Sequence, residues 1–181
     1  MAQTRYVALL RGINVGGTNK VPMADLREVF ESAGHAEVST YIQSGNVLFR
    51  SGDTGPDLEK QIEAQLAKRF NVPLVVVVRS LRQLRTVVDK APAGFGAEPD
   101  TFHSDAVFLR APLTPAQAMK VVKLREGVDE AWAANGVVYF QRLSAQRTKS
   151  RMSAIVGTPE YQQMTIRSWR TTTKLLALLE A

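Results

Sequence analysis

In the first half of the chain, the spacing of apolar and polar residues alternates between the pattern of strands and the pattern of helices. The apolar run over 5–10 predicts a short buried strand, and apolar residues at helical spacing over 23–33 predict a helix that Gly34 ends. Two strands over 37–43 and 47–50 follow, joined by a turn whose glycine supplies a positive φ. These segments predict the order strand, helix, strand, strand.

A second helix and a fourth strand complete this half. Apolar residues at i, i+4, i+8 and i+12 over 58–70 predict a helix, with Glu59 and Glu63 among the side chains expected to point away from the core. The β-branched run over 74–78 predicts a central strand that is buried on both faces. The predicted order for the first half is therefore βαββαβ.

The second half repeats this pattern. Ser80 and Gln83 predict a capped helix, and 91–101 is expected to be a linker. A strand, a helix beginning at the Thr114 capping box and a hairpin around Asn135-Gly136 follow. Helical segments are predicted over 152–156 and over 166–179. They close the chain.

The two halves predict an α+β protein made of duplicated split-βαβ (ferredoxin-like) units, with two antiparallel or mixed sheets and packed helices. The predicted divisions are a first unit over 1–80 with a glycine-rich loop, a helix and linker over 81–104, and a second unit over 105–181 with basic carboxy-terminal helices. The loop between the first strand and the first helix is longer than its counterpart. Binding residues concentrate in such loops, so we expect a site there.

Composition excludes several chemistries. The chain has 181 residues, no cysteine and two histidines, so disulfides, thiol nucleophiles, zinc–thiolate sites and iron–sulfur clusters are excluded, and neither a metal nor a cofactor is expected. No apolar run approaches the ~20 residues of a membrane span, and the first apolar stretch is too short for a signal peptide. We expect a cytoplasmic protein with no membrane partner.

The charge is positive and unevenly distributed. The chain has 23 basic and 17 acidic residues, a net charge of +6. Between residues 142 and 174, seven basic residues face the single acid Glu160, and these account for the whole surplus. They are Arg142, Arg147, Lys149, Arg151, Arg167, Arg170 and Lys174. An anionic partner is the physical expectation.

Three motifs together resemble one bacterial family. They are RGINVGG at 11–17 followed by KVPM at 20–23, TYIQSGNV at 40–47, and MTIRSW at 164–169 with Lys174. This pattern resembles the family known as domain of unknown function 1697. The resemblance covers nearly the whole chain and implies a small α+β protein built on a repeated fold, with no established activity.

The glycine-rich loop is the first candidate site. The loop precedes the start of a helix, and backbone N–H groups in such a position can bind a phosphate or carboxylate. A tight strand-to-helix connection would require the same glycines without any ligand. The loop lacks the Gly-Lys-Ser/Thr of a Walker motif. Its candidate binding residues are Arg11, Asn14, Gly16, Gly17, Asn19 and Lys20.

A hairpin and a helix supply further candidates. The first turn contains three hydrogen-bonding side chains, those of Gln43, Ser44 and Asn46. They are candidates for contact with a ligand, although turns also favour these residue types for backbone reasons alone. Arg167, Arg170 and Lys174 follow i, i+3 and i+7, so on the predicted last helix they share one cationic face. His35 at a helix end and His103 in the predicted linker are not expected to be catalytic.

These features favour a binding module for an anionic partner, either nucleic acid or a phosphorylated ligand. Two other functions stay open: a metal- and thiol-independent enzyme acting on a small anionic metabolite, and a protein–protein adaptor or homodimer. Both the anion-binding and the enzyme hypotheses depend on whether the glycine-rich loop, the first hairpin and the cationic residues share one cleft.

Overall fold

A computed structural model describes residues 2–17 and 19–181, and Met1 and Thr18 lie outside the described residues. The chain divides into two compact units. The first unit comprises Met1–Leu84 with Leu175–Ala181, and the second comprises Arg85–Lys174. The domain boundaries expected from the sequence, at 80 and 104, stay a prediction.

The structure is α+β, as predicted, with two four-stranded antiparallel sheets and packed helices. The strands are β1 (Thr4–Leu10), β2 (Ala36–Tyr41), β3 (Asn46–Ser51), β4 (Val76–Ser80), β5 (Phe102–Leu109), β6 (Asp129–Ala134), β7 (Val137–Leu143) and β8 (Met164–Ser168). The helices are α1 (Met23–Ser32), α2 (Gly55–Phe70), α3 (Leu81–Asp89), α4 (Pro115–Val121) and α5 (Trp169–Glu180). Three short 3₁₀ helices lie between β7 and β8.

The first sheet has the order β2-β3-β1-β4, with every neighbouring pair antiparallel. Its helix-covered face buries Tyr6, Ala8 and Leu10 of β1 against the seam of α2, because alternate strand residues point to the same side. The seam residues Leu58, Ile62 and Leu66 are fully buried, as their spacing predicted. This core fixes the end of the sheet where the glycine-rich loop begins.

The expected position of β4 was wrong. Its valines are buried, but β4 lies at an edge of the first sheet and pairs only with β1 there. An edge strand leaves backbone N–H groups without a ladder partner. Glu59 and Glu63 of α2 accept those hydrogens at 2.9 and 3.0 Å, from Val78 and Val76 respectively. The two glutamates therefore face β4, contrary to the prediction that they point away.

The second sheet has the order β6-β7-β5-β8 and is also antiparallel throughout. The Thr114 capping box at the start of α4 and the Ser80–Gln83 box at the start of α3 are both formed, as predicted. The prediction of one helix over 166–179 was wrong at its beginning. Residues 164–168 form β8, because they pair with β5, and the helix begins at Trp169. The predicted helix over 152–156 is a 3₁₀ turn, Met152–Ile155.

Equivalent backbone hydrogen bonds recur in the two units. The amide of Leu10 donates to the carbonyl of Gly45 at 2.9 Å, and the amide of Leu109 donates to the carbonyl of Gly136 at 3.0 Å. Twelve residues separate β1 from α1, but only five separate β5 from α4. The additional length of the first unit thus lies in the glycine-rich loop.

The predicted linker contains neither helix nor strand, yet part of it belongs to the core of the second unit. The ring of Phe95 packs edge-on against Trp132, Tyr139 and Trp169, with centroids 5.0–6.0 Å apart. Burial raises the pKa of Tyr139 to about 12, and its hydroxyl donates to the carbonyl of Val87 at 2.6 Å. Trp169 is therefore a packing residue.

Among the helices of residues 2–17 and 19–181, none is both long and apolar enough to pass through a bilayer.

Candidate functional site

The glycine-rich loop and the first hairpin lie together in the first unit. Asn14, in left-handed conformation at φ 54°, donates from Nδ2 to the carbonyls of Val21 at 3.0 Å and Gln43 at 2.9 Å. Its Oδ1 accepts the amide hydrogen of Val21 at 2.8 Å. Asparagine tolerates this backbone conformation better than most residues. One side chain thus closes the loop and joins it to the hairpin.

Other polar residues of this region also serve the chain itself. Asn19 donates from Nδ2 to the carbonyl of Gly12 at 3.2 Å. Asn46 is fully buried and donates to the carbonyl of Tyr41 and to Oγ of Ser44, both at 3.0 Å. The candidate asparagines are therefore engaged by protein atoms, and Asn46 has no surface to offer a ligand.

The predicted residues of the loop and the first hairpin differ in exposure. Five are exposed, namely Gly16, Gly17, Asn19, Lys20 and Gln43, whereas Arg11, Asn14 and Ser44 are half-buried. Apolar side chains lie at the same end, where Val15 is 64% exposed and Ile42 is 50% exposed. This end of the first unit is therefore a surface of mixed polarity with few charges.

The structure places Arg167 away from the predicted cationic helix face. Arg167 lies in β8 and is only 7% exposed, with Nη1 donating to Thr165 Oγ1 and to the carbonyl of Ile166, each at 2.9 Å. Burial lowers the pKa of Arg167 to about 10, because it penalises the charged guanidinium. The prediction that Arg167 shares a helix face with Arg170 was wrong, because β8 interrupts the helical pattern.

Arg170 and Lys174 are both exposed on α5, where their i, i+4 spacing places them on one face. They belong to the second unit, whereas the glycine-rich loop and the first hairpin belong to the first. A common cleft for all three elements stays a prediction.

A second cationic region lies in the second unit. It includes three residues of the basic stretch over 142–174, but none of the candidate binding residues. Two segments form it, residues 123–128 before β6 and residues 144–151 after β7, and we call them the basic loop pair. The carboxylate of Asp129 joins them, because its Oδ2 accepts the amide hydrogens of Arg125 at 2.9 Å and Arg151 at 2.8 Å. Arg125 Nε also donates to the carbonyl of Lys149 at 2.7 Å.

The basic loop pair has five cationic side chains and the single acid Glu126. The five are Lys123, Arg125, Arg147, Lys149 and Arg151. All five residues are exposed, and within the described part of the chain none of them forms a salt bridge. Five exposed charges of one sign on two segments that are hydrogen-bonded to each other give this surface a positive potential.

The sequence contained a signal for this arrangement. Asn135-Gly136 predicted the hairpin of β6 and β7, and the segments that flank a hairpin meet at its open end. The interpretation based on net charge began at Arg142 and so left out Lys123 and Arg125. Asp129 lies directly opposite Arg142 in the strand register, which fixes the two flanks beside each other.

One of the two histidines lies elsewhere than expected, whereas His35 follows the end of α1, as the sequence predicted. His103 lies in β5 rather than in the linker, and its Nε2 is 3.1 Å from Oδ1 of Asp105. Burial raises the pKa of Asp105, while the charges of His103 and Arg142 oppose that shift. His35 packs between Phe30 and Phe49, and burial lowers its pKa. Across the described residues, no three histidine, aspartate or glutamate side chains are grouped to hold a metal.

Comparisons with known proteins place the fold but supply no activity. No curated protein matches the chain significantly. A solved structure, described as that of conserved bacterial protein SP0830 from Streptococcus pneumoniae, is similar at 28% sequence identity and a TM-score of 0.84. The similarity covers 98% of this chain and 99% of the other. The family model described as "Protein of unknown function (DUF1697)" matches residues 3–139, and the chain belongs to that family.

Proposed function

We propose that this protein is a binding module for an anionic partner, and that the partner is the phosphate backbone of nucleic acid. The basic loop pair carries the proposal, because its charges are exposed and its two segments are tied to each other. The hydrogen bonds of Asp129 and Arg125 hold the backbone that carries the cations. Preorganised charges lose less conformational entropy on binding than charges on loose segments.

The composition of the basic loop pair favours phosphate contacts over base recognition. Residues 123–128 and 144–151 contain no aromatic residue, so they offer no platform for stacking bases. Lysine and arginine contacts to phosphates carry little sequence information, and they weaken steeply with salt. We therefore expect binding with weak sequence preference and strong salt dependence.

The proposal is tested by fluorescence anisotropy with a labelled duplex of about 20 base pairs, which spans two helical turns. The wild-type chain is titrated at several salt concentrations beside the variant Arg147→Gln/Lys149→Gln. Each phosphate contact contributes about 0.9 to the slope of log K against log salt, so losing two contacts lowers its magnitude by about 1.8. Both changes are at exposed positions, so the fold should be unaffected.

The matched control is Lys60→Gln/Lys68→Gln, which removes two exposed charges from α2 in the first unit. It alters net charge equally and is expected to leave the slope within error of wild type. Equal slopes for the two double variants, or no binding to duplex DNA or RNA at low salt, would refute the proposal. Retention of a phosphorylated small molecule without duplex binding would favour that alternative partner.

The duplicated fold, the other candidate binding residues and the alternative functions differ in how much supports them. The shared strand order and the recurring hydrogen bonds of Leu10 and Leu109 support a duplicated split-βαβ origin. Roles for the glycine-rich loop, the first hairpin, Arg170 and Lys174 in anion binding stay predictions, as does a cytoplasmic location. The enzyme and adaptor hypotheses remain without a specific observation in their favour.

A further inference from the structure

A surface groove of 180 Å³ lies in the first unit, away from the glycine-rich loop in the strand register. Its polar lining is provided by Arg5 of β1, Arg50 of β3 and Ser39 of β2, while Leu48 and Leu178 supply apolar surface. Arg5 and Arg50 are direct partners in the antiparallel register. Two arginine side chains from neighbouring strands therefore line one groove together with apolar side chains.

An opposed arginine pair is electrostatically unfavourable, because like charges directly across an antiparallel ladder destabilise it. Arg5 is held from the α5 side, where its Nη1 donates to the carbonyl of Leu179 at 2.8 Å. That carbonyl belongs to the last turn of α5, which carries partial negative charge. This contact orients Arg5 but supplies no full negative charge.

The groove has one carboxylate side chain for its two guanidiniums. Glu37 Oε2 lies 2.7 Å from Nε of Arg50, although this buried nitrogen makes no hydrogen bond of good geometry. Glu37 is 65% exposed, so water screens much of this ion pair. The positive charge of the groove is therefore only partly neutralised by side chains, and Ala181 also lines the groove.

The backbone is distorted where it presents Glu37. The register of β2 with β3 shifts between Ala36 and Ser39, which is a β-bulge, and Glu37 has φ 49°. A left-handed glutamate is uncommon, and backbone strain of this kind concentrates at functional sites. Bulges also redirect a side chain next to a binding site. Here the bulge brings Glu37 to Arg50.

We propose that this groove binds a small amphiphilic anion, in which a carboxylate or phosphate group is carried on a short apolar chain. Arg50 and Arg5 hold the anionic group, Leu48 and Leu178 contact the chain, and Glu37 is the internal carboxylate that the ligand displaces from Arg50. An engineered cavity of about 150 Å³ accommodates benzene, so a groove of this size suits an apolar body of roughly six carbons.

This inference is independent of the proposed nucleic-acid function. The groove residues belong to the first unit and the basic loop pair to the second. A substitution at Arg50 should therefore leave duplex binding and its salt slope unchanged, so that each proposal fails without the other.

The test uses isothermal titration calorimetry of the whole chain with hexanoate, with hexyl phosphate to compare the anionic group, and with hexanol and acetate as partial ligands. Hexanoate should bind saturably, and each partial ligand at least tenfold more weakly. Arg50→Gln should weaken hexanoate at least tenfold, because charge-assisted hydrogen bonds are the strong ones. Arg27→Gln on α1 makes the same charge change outside the groove and should bind like wild type.

Glu37→Gln supplies a test with the opposite sign. It removes the competing carboxylate, so hexanoate should bind several-fold more tightly than to wild type. If the arginines only stabilised the fold, Glu37→Gln would give no gain in affinity for hexanoate. The proposal is overturned if hexanoate and hexyl phosphate do not bind, if Arg50→Gln binds as wild type does, or if Glu37→Gln gives no gain. Melting curves of each variant confirm that it is folded.

Discussion

The glycine-rich loop of the first unit and the basic loop pair of the second are both polar, but they use their polar side chains differently. Those of the first bond to the protein's own backbone, and those of the second are exposed to solvent. In the glycine-rich loop, Asn14 and Asn19 donate to backbone carbonyls of the same region. In the basic loop pair, one buried carboxylate, Asp129, holds the backbone, and the cationic side chains are left at the surface.

This difference separates polar residues that build a loop from polar residues that can meet a partner. Backbone N–H and C=O groups in an irregular segment must find partners, and short amides are well suited to that task. Lysine and arginine have long side chains that reach solvent after the backbone has been satisfied. Residue type alone therefore does not distinguish side chains that hold a loop together from side chains that are left at the surface.

Asp129→Ala should have the largest effect on this comparison. It deprives two backbone N–H groups of a charged acceptor, and each such bond contributes about 2 kcal/mol, so unfolding free energy should fall by about 4 kcal/mol. The basic loop pair should separate, and the duplex should bind more weakly even though no cation has been removed. Urea denaturation and anisotropy measure the two consequences.

The controls for this change are Asp129→Asn and Glu130→Gln. The asparagine keeps an oxygen that accepts both hydrogens, so most of the stability should return. Glu130 is an exposed neighbour, and its neutralisation should cost little. Equal stability of Asp129→Ala and Glu130→Gln would show that the carboxylate does not organise the two segments.

Much of the fold could be predicted because local signals agreed with the tertiary structure. The Thr114 capping box, the Asn135-Gly136 turn and the α2 seam each depend on nearest neighbours in the chain, and each appears as expected. The alternation of helices and paired strands then limited the class to α+β with antiparallel sheets. Local chemistry and topology were consistent with each other.

The errors occur where contacts distant in sequence decide the outcome. Residues 166–168 were expected to begin a helix, but pairing with β5 makes them part of a strand and buries Arg167. Glu59 looked like a solvent-facing residue of α2, but the open edge of β4 requires an acceptor at that position. The groove beside Arg50 depends on a cross-strand register that no short motif in the sequence reveals.

The next largest effect is expected from Gly45→Ala in the first hairpin. A Cβ at Gly45 would lie 2.8 Å from Cδ1 of Ile13 and 2.9 Å from Cβ of Leu10, and φ is 82°. Overpacking and backbone strain together should lower stability by about 3 kcal/mol. Thermal and urea unfolding measure this loss.

Gly12→Ala is the matched control in the glycine-rich loop. Gly12 also has positive φ, at 66°, but no atom lies within 4 Å of the position its Cβ would take. Only the strain of the left-handed conformation remains, about 1 kcal/mol. Equal stability of the two alanine variants would contradict the close packing of Ile13 against Gly45, and with it the tight contact between the loop and the hairpin.

The smallest effects compare the two loop asparagines through Asn14→Gly and Asn19→Gly. Both residues have positive φ, at 54° and 47°, so glycine adopts either conformation without strain and the substitutions isolate the side-chain hydrogen bonds. Asn14 makes three such bonds and Asn19 one at the surface, so we expect losses of about 2 kcal/mol and below about 0.5 kcal/mol. Duplex binding should be unchanged in both variants at temperatures where they are folded. A stable Asn14→Gly protein that has lost duplex binding would instead place the glycine-rich loop in the binding surface and remove the distinction between the two regions.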